Sequence, residues 1–361
     1  MAGQIKSPRS VPQYGGRPLS YSVAPLLIKK SEAQFIETAL TDLLKKVEAF
    51  TEVALRDKQI LKDLGVPEDL DPRPTPLGLH IPFARFDFLF DGKNLNVMEL
   101  NTDGTAGFNV NEWIAEEAGL KPSENPNFKI SERLLQALLE HSPEAREVVL
   151  MDFPEVGTSW EQHDLIKRWK PLIRASLGNP AVRQWKKDAL IYRRVLSWQL
   201  RAHPERCQPF LQDWKDGQIK VVGGWSSDVG MSKAWPAFVK PQYVPETLLI
   251  EDGVVEKIKS EKDTWVIKGA LSFSGHSVFR GLDLQQERWM ACVDQALKES
   301  QNGRPWVAQR RVEVPKVDGK PIELGLYFLN GKPSGYMARW GSDQVISETS
   351  EEVLRPVRMT P

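Results

Sequence analysis

Pro82-Phe-Ala-Arg-Phe-Asp-Phe-Leu-Phe90, then Asp91-Gly-Lys-Asn94, then Leu95-Asn-Val-Met-Glu-Leu100 reads as two strands joined by a tight turn. Side chains alternate across a strand, so Phe86, Phe88 and Phe90 share one face and Arg85 and Asp87 share the other. Glu99 and Asn101 share a parity on the second strand. A three-residue turn would set Asp87 opposite Glu99 and Arg85 opposite Asn101, with Cβ atoms about 4.5–5.5 Å apart. Two carboxylates at that distance repel. A divalent cation reverses the sign, because carboxylate and amide oxygens are ligands that Mg²⁺ accepts, with water and phosphate completing its shell. Arg85 beside them offers a fork that matches phosphate oxygens. A solvated strand face would carry the same residues, and spacing alone leaves both readings open. Asn101-Thr-Asp-Gly-Thr-Ala-Gly107 follows directly, a short glycine-containing loop whose backbone N–H groups could meet an anion.

Around this hairpin the 361-residue chain has an ordinary soluble composition, 41% apolar and 27% charged. Lys plus Arg number 48 and Asp plus Glu number 48, which argues against general attraction to nucleic acid or to an anionic membrane. Cys207 and Cys292 make no disulfide framework, and no C-x-x-C pair occurs. No apolar run approaches the ~20 residues needed to span a bilayer, and Met1 to Gly16 has no apolar signal core, so the expected location is cytoplasmic. Neither a P-loop nor a G-x-G-x-x-G fingerprint is present.

Residues 1–20 read as an extended arm. Ser31-Glu-Ala-Gln34 reads as a capping box opening a helix that carries Ile36, Leu40, Leu43, Leu44, Val47, Phe50 and Ala54 and stops by Gly65. Four prolines make 67–76 a loop. Helices are expected over 112–119 and 131–141, a strand over 148–152, and then a long helical region, rich in Trp and Arg, through Arg194 and Gln199. From Gln218 onward the texture is β-rich, with strands at 220–222, 265–268, 306–312, 322–330 and 334–340. Asn330-Gly331 between the last two is a strong hairpin signal. The division expected is an arm (1–20), a part with the acidic hairpin and helical region (21–215) and a β-rich part (216–361), an α+β chain.

Arg85-Phe-Asp87 followed by Val97-Met-Glu-Leu-Asn-Thr-Asp-Gly104 resembles the metal-binding segment of the circularly permuted ATP-grasp ligases, the group that includes the synthetase domain of glutathionylspermidine synthase. Lys233 in Ser-Lys-Ala-Trp is similar to a phosphate lysine of that family, and Lys268 in Trp-Val-Ile-Lys-Gly to the lysine that opens its phosphate-covering loop. Trp306-Val-Ala-Gln309 with Val312-Glu-Val-Pro315 resembles its adenine-binding strand and hinge. Tyr336-Met-Ala-Arg339 resembles the late strand that carries an arginine to the phosphates. These matches run in order from about Leu27 to Pro356. Gly269-Ala-Leu-Ser-Phe-Ser-Gly-His276 departs from the family loop in having two glycines and bulky residues between them, and no amidase domain is attached.

The resemblance implies an ATP-grasp fold with ATP between two α+β lobes and the order of the chain permuted. It implies ATP-dependent joining of a carboxylate to an amine through an acylphosphate. Asp87, Glu99 and Asn101 would hold Mg²⁺. Lys233 and Lys268 would hold phosphates, with the amides of Ser272, Ser274 and Gly275 approaching them, and Gln309 would contact adenine. Arg85 and Arg339 would steady the developing charge, Arg339 being preferred over Arg310 and Arg311. Glu323 is a candidate contact to ribose or metal, and His276 reads as a loop residue. The substrates implied are a small carboxylate and an amine (amino acid, peptide or polyamine), with no nucleic acid or membrane partner. A kinase with a hydroxyl acceptor, or a nucleotide-binding protein without catalysis, would carry the same residues.

Overall fold

The computed structural model of the chain describes residues 12–14, 17–68, 71–102, 104–153, 155, 159–272, 277–341 and 352–361. Phe83–Phe90 and Leu95–Asn101 form the expected antiparallel hairpin, and they do not stand alone. Lys320–Leu329 pairs with the free side of Phe83–Phe90, Lys332–Trp340 pairs with that strand in turn, and Val353–Arg355 closes the edge. Lys316–Val317 adds a short pairing to Lys320–Leu329. All six strands are antiparallel neighbours. The sheet therefore draws on residues far apart in sequence and spans both parts of the chain divided at 215/216.

The hairpin register places Asp87 opposite Glu99 and Arg85 opposite Asn101, as expected. The route to it differs. Phe90 faces Leu95, so the turn has four residues, and Asp91 caps it by accepting from the backbone N–H of Lys93 and Asn94. Continued strictly, that turn would set Phe86 opposite Glu99 and aim the carboxylate into the core. A register shift between Asp87 and Phe88 lets Met98 stand as an extra residue. A bulge of this kind re-aims every side chain beyond it to the other face. Glu99 and Asn101 thereby join Arg85 and Asp87.

The helix Lys30–Ala54 covers the opposite face of this sheet. Ile36, Leu40, Leu43, Leu44 and Val47 are buried against Phe86, Phe88, Leu324, Leu326 and Phe328. Each such side chain removed from water contributes about 1.5–3 kcal/mol. Its cap lies earlier than the sequence pattern suggests, since the Glu32 carboxylate accepts from the Lys29 N–H at 2.9 Å.

The stretch after residue 152 is a correction. Instead of one long helical region it holds the helix Ser159–Trp169, strands Arg174–Gly178 and Leu190–Arg193, and helices Ser197–Ala202 and Pro204–Lys215. Those strands flank Glu147–Met151, and Lys220–Val222 joins them in a four-stranded, all-parallel sheet. Glu147–Met151 and Leu190–Arg193 are buried at every position. Strands covered on both faces lose the two-residue alternation by which a strand is recognised, and charged neighbours lend such short runs a helical look.

A second antiparallel sheet runs Thr247–Leu249, Trp306–Arg310, Trp265–Gly269, Val278–Arg280. Trp265, Ile267 and Ala308 pack on Trp289 and Val293 of the helix Gln286–Gln301. Their alternation sends Lys268 and Gln309 to the other face. The 306–312 strand stops at Arg310, whose guanidinium is taken up by Glu246 and Glu261 at 2.8 Å each. Asn330 (φ 47°) and Gly331 (φ 76°) form a two-residue turn with both centres left-handed, the geometry that Asn-Gly favours. No described helix is long and apolar enough to cross a membrane.

Candidate functional site

One face of the six-stranded sheet changes character along its length. Phe83, Tyr327 and Leu329 are buried among the apolar side chains of helices Phe108–Glu117 and Ile130–Glu140. Further along the same face stand Arg85, Asp87, Glu99, Asn101, Glu323 and Arg339. Asp87, with a side chain only 1% exposed, is the hub. Arg85 donates to both of its oxygens, Nε to Oδ1 at 2.6 Å and Nη2 to Oδ2 at 2.8 Å. Asn101 Nδ2 donates to Oδ2 at 3.0 Å, and Arg339 Nη2 reaches the same oxygen at 3.4 Å. Gly325, directly across from Asp87, makes the room for this pair. A Cβ there would lie 3.1 Å from Arg85 Cδ and 3.2 Å from Asp87 Oδ1.

Arg339 pairs with Glu323 on the neighbouring strand, Nη2 to Oε1 at 2.6 Å and Nε to Oε1 at 3.1 Å, and with Glu352 through Nη1 at 3.3 Å. Lys233 approaches Glu99 Oε2 at 3.7 Å and donates to the Ser272 carbonyl at 2.7 Å, while its own N–H donates to Ala270 O. From the second sheet, Lys268 Nζ donates to Gln309 Oε1 at 2.8 Å, and Gln309 Nε2 donates to Thr247 Oγ1 at 3.3 Å. The Gln309 side chain is thus engaged in holding a lysine.

The electrostatics tie the two sheets into one site. Burial works against the Glu99 carboxylate, yet Lys233, Arg339, Lys268 and Arg85 outweigh it and hold Glu99 at about 2. Burial pulls Lys268 down to about 8, with Lys233 adding to the fall and Glu99 and Glu323 opposing it. Glu323 moves up because it is buried beside Asp87 and Glu99, although Arg339 resists this. Four basic side chains (Arg85, Lys233, Lys268, Arg339) therefore face four carboxylates (Asp87, Glu99, Glu323, Glu352). A small cleft beside them is lined by Met98, Glu99, Lys233, Trp235, Val244 and Gln309.

The donor set fits a hard divalent cation in type, with carboxylate oxygens of Asp87, Glu99 and Glu323 on adjacent strands of one sheet face. The donors differ in readiness. Glu99 is the open one, its side chain 32% exposed, whereas Asp87 already accepts from Arg85 on both oxygens. Asn101 as oriented donates through Nδ2, so a ligating role needs its amide turned the other way. Among the described residues no group of three or more His, Cys, Asp or Glu stands ready as a metal cage.

Of the residues singled out from sequence, Arg85, Asp87, Glu99, Asn101, Glu323 and Arg339 share one sheet face, and Lys233, Lys268 and Gln309 lie against it. Ser274, Gly275 and His276 lie outside the described residues. Ser272, expected to turn its amide to phosphate, instead offers its carbonyl to Lys233, and sequence reasoning missed Glu352, Thr247 and Gly325. No motif of recognisable spacing surrounds any of these, and their part is visible only in the contacts.

No family model matches the chain, and no curated protein matches its sequence. Solved structures do resemble it in shape. A Methylobacillus flagellatus KT protein carrying the provisional name gamma-glutamylcysteine synthetase aligns at a TM-score of 0.43 and 12% identity, over 88% of this chain and 84% of that one. The D-cycloserine synthetase DcsG aligns at 0.39 and 14%, over 59% of this chain and 72% of that one. The ATP-grasp ligase PsnB, complexed with a minimal precursor, aligns at 0.37 and 13%, over 58% and 76% respectively. TM-scores below 0.5 do not by themselves fix a fold or a chemistry. The weight rests on the site.

Proposed function

We propose that this chain is an ATP- and Mg²⁺-dependent carboxylate–amine ligase of circularly permuted ATP-grasp type. The single observation that carries the reading is the closure of Lys233, Lys268, Arg85 and Arg339 around Asp87, Glu99, Glu323 and Glu352, from two separate sheets and the turn that holds Lys233. A site with basic and acidic side chains in equal number, assembled from separate elements, suits a ligand that is itself both: a polyphosphate with its metal.

In this reading Glu99 and Glu323 hold Mg²⁺, with Asp87 behind them, and the ion supplies charge neutralisation at phosphate oxygens. Lys233 and Lys268 exchange their protein acceptors, Ser272 O and Gln309 Oε1, for phosphate oxygens. Arg85 stays clamped on Asp87 and fixes that carboxylate in place. Arg339, anchored by Glu323 and Glu352, meets the charge that develops on the transferring group. The substrate carboxylate oxygen attacks the γ-phosphorus, the β,γ P–O bond breaks and ADP leaves. An amine nitrogen then attacks the acyl carbon, inorganic phosphate leaves with its C–O bond broken, and the nitrogen gives up a proton. Positioning and charge neutralisation carry most of such a barrier.

The test is ADP release measured with amino acids, small peptides and polyamines as paired substrates. ADP and phosphate formed together with a new amide supports the reading. ADP formed with a phosphate ester makes the chain a kinase. No nucleotide turnover with any pair, by a chain that binds ATP, leaves a binding protein and sinks the ligase.

A further inference from the structure

The four parallel strands lie in the order 174–178, 147–151, 190–193, 220–222, so the path of the chain reverses direction between Glu147–Met151 and Leu190–Arg193. Open parallel sheets leave a ligand crevice beyond the carboxyl ends of the strands at such a point. Here the residues immediately beyond the two ends are Asp152 and Arg194, both tied down by backbone hydrogen bonds: Asp152 N–H donates to Gly178 O and Arg194 N–H to Met151 O.

Arg194 is 4% exposed and poorly satisfied. Its Nη2 meets Glu161 Oε2 at 3.5 Å, while Nε and Nη1, which carry three of the five N–H donors of a guanidinium, reach no acceptor among the described residues. Glu161 spends its other oxygen on the Gly107 N–H at 2.7 Å. Asp152 is 5% exposed, accepts from the Phe153 N–H at 2.9 Å and is hydrogen-bonded to the Gln162 amide. Burial pushes Asp152 up to about 6, with Arg194 opposing the rise. At neutral pH the cluster therefore holds one buried cation against two buried carboxylates. Two deficits coexist: Arg194 needs acceptors, and the acid pair needs a positive charge. Unmet buried donors cost about 1–3 kcal/mol each, and more when charged.

A single molecule with a carboxylate and an ammonium group a few ångströms apart fills both deficits. We infer that Arg194, Asp152 and Glu161 form a binding subsite for an amino acid zwitterion, its carboxylate on Arg194 and its ammonium group toward Asp152 and Glu161. The subsite adjoins the acidic hairpin through one loop. Gly107 holds Glu161, Thr105 O accepts from Tyr192 Oη at 3.2 Å on this side, and Ala106 O faces Arg85 Nη1 at 3.4 Å on the other. In assigning the ligand a role as substrate the inference rests on the ligase reading, and it then names the substrate class as an amino acid. Binding itself does not depend on that reading.

The test uses the full chain without nucleotide. Thermal shift and calorimetry are run with glycine, L-alanine and L-glutamate, and with N-acetyl-L-alanine and L-alaninamide, against wild type, Arg194→Gln and Asp152→Asn. At least one free amino acid is expected to bind wild type. Blocking either its carboxylate or its ammonium group, or Arg194→Gln, should weaken binding about tenfold or more, the worth of one charge-assisted hydrogen bond. Asp152→Asn removes a buried charge and keeps the test open if Arg194→Gln does not fold; it should weaken free L-alanine more than N-acetyl-L-alanine. A folded wild type that binds no amino acid of the panel, or binds it equally well in both variants, overturns the inference and leaves internal water as the partner of Arg194. Absence of ADP formation with every substrate pair would instead strike the ligase reading and leave this binding result standing.

Discussion

Gln309 Oε1 accepts a hydrogen bond from the Lys268 ammonium group at 2.8 Å, between residues set diagonally on adjacent antiparallel strands. The bond stabilises the charged form of a lysine that burial has drawn down to about 8. Taking the acceptor away should lower Lys268 further. If the protonated lysine meets phosphate, kcat/KM for ATP falls as pH rises through about 8 in wild type. The fall should move to lower pH in Gln309→Leu and to higher pH in Gln309→Glu. A pH profile of ATP-dependent ADP release reads this directly, and a fall that stays put in both variants refutes the linkage.

Asp87 is the shared acceptor of Arg85, Asn101 and Arg339. Its removal leaves two buried guanidinium groups short of a partner. Breaking a buried pair from one side costs about 3–5 kcal/mol, so Asp87→Ala should lower the midpoint of urea unfolding sharply. Asp87→Asn, which keeps the shape, should lie between it and wild type in stability while sharing its loss of turnover. Wild-type stability in Asp87→Ala would show that the clamp is not structural.

Gly325 sits where a methyl group would press on Met337 Cε at 3.0 Å, Arg85 Cδ at 3.1 Å and Asp87 Oδ1 at 3.2 Å. Overpacking of this sort typically costs about 1–3 kcal/mol. Gly325→Val should therefore unfold at lower denaturant and also weaken nucleotide affinity, because the Arg85–Asp87 clamp must shift. Gly253, where an added Cβ meets no described atom within 4 Å, is the control whose replacement by alanine should leave the site unaffected.

Asp152 makes a prediction about pH and stability. Burial raises its pKa in the folded chain to about 6, above the 3.8 of an ordinary aspartate, so folding favours the protonated form. The contribution of this group is most favourable below about pH 4 and is lost as pH rises to about 6, at roughly 1.4 kcal/mol for each pH unit crossed between those limits. Asp152→Asn should flatten that part of the stability–pH curve and make the chain more stable than wild type at pH 7. Equal pH dependence in the two proteins would contradict it.

The hairpin shows how far sequence could be followed. Alternation of Leu95 and Val97, then a break before Leu100, is the trace of the Met98 bulge, and it is visible once sought. The expected register is met through a four-residue turn and a bulge, in place of a three-residue turn. The late hairpin was legible because Asn330-Gly331 states its own backbone geometry. Leu190–Arg193 was not, because a strand buried on both faces has no alternation to display. Arg194 was equally hidden. An arginine after an apolar run reads as a surface residue until the neighbouring strands bury it.

Local chemistry in the sequence by itself determined the N-terminal helix, both hairpins and the face shared by Arg85 and Asp87. These depend on periodicity, turn residues and side-chain parity, all of which act over a few residues. Only the tertiary structure decided that Asp87 is clamped by two arginines, that Gln309 serves Lys268, and that Asp152 and Arg194 meet beyond the carboxyl ends of a parallel sheet. Each of those rests on burial and on charges brought together from distant segments, and neither is a property of any short stretch of chain.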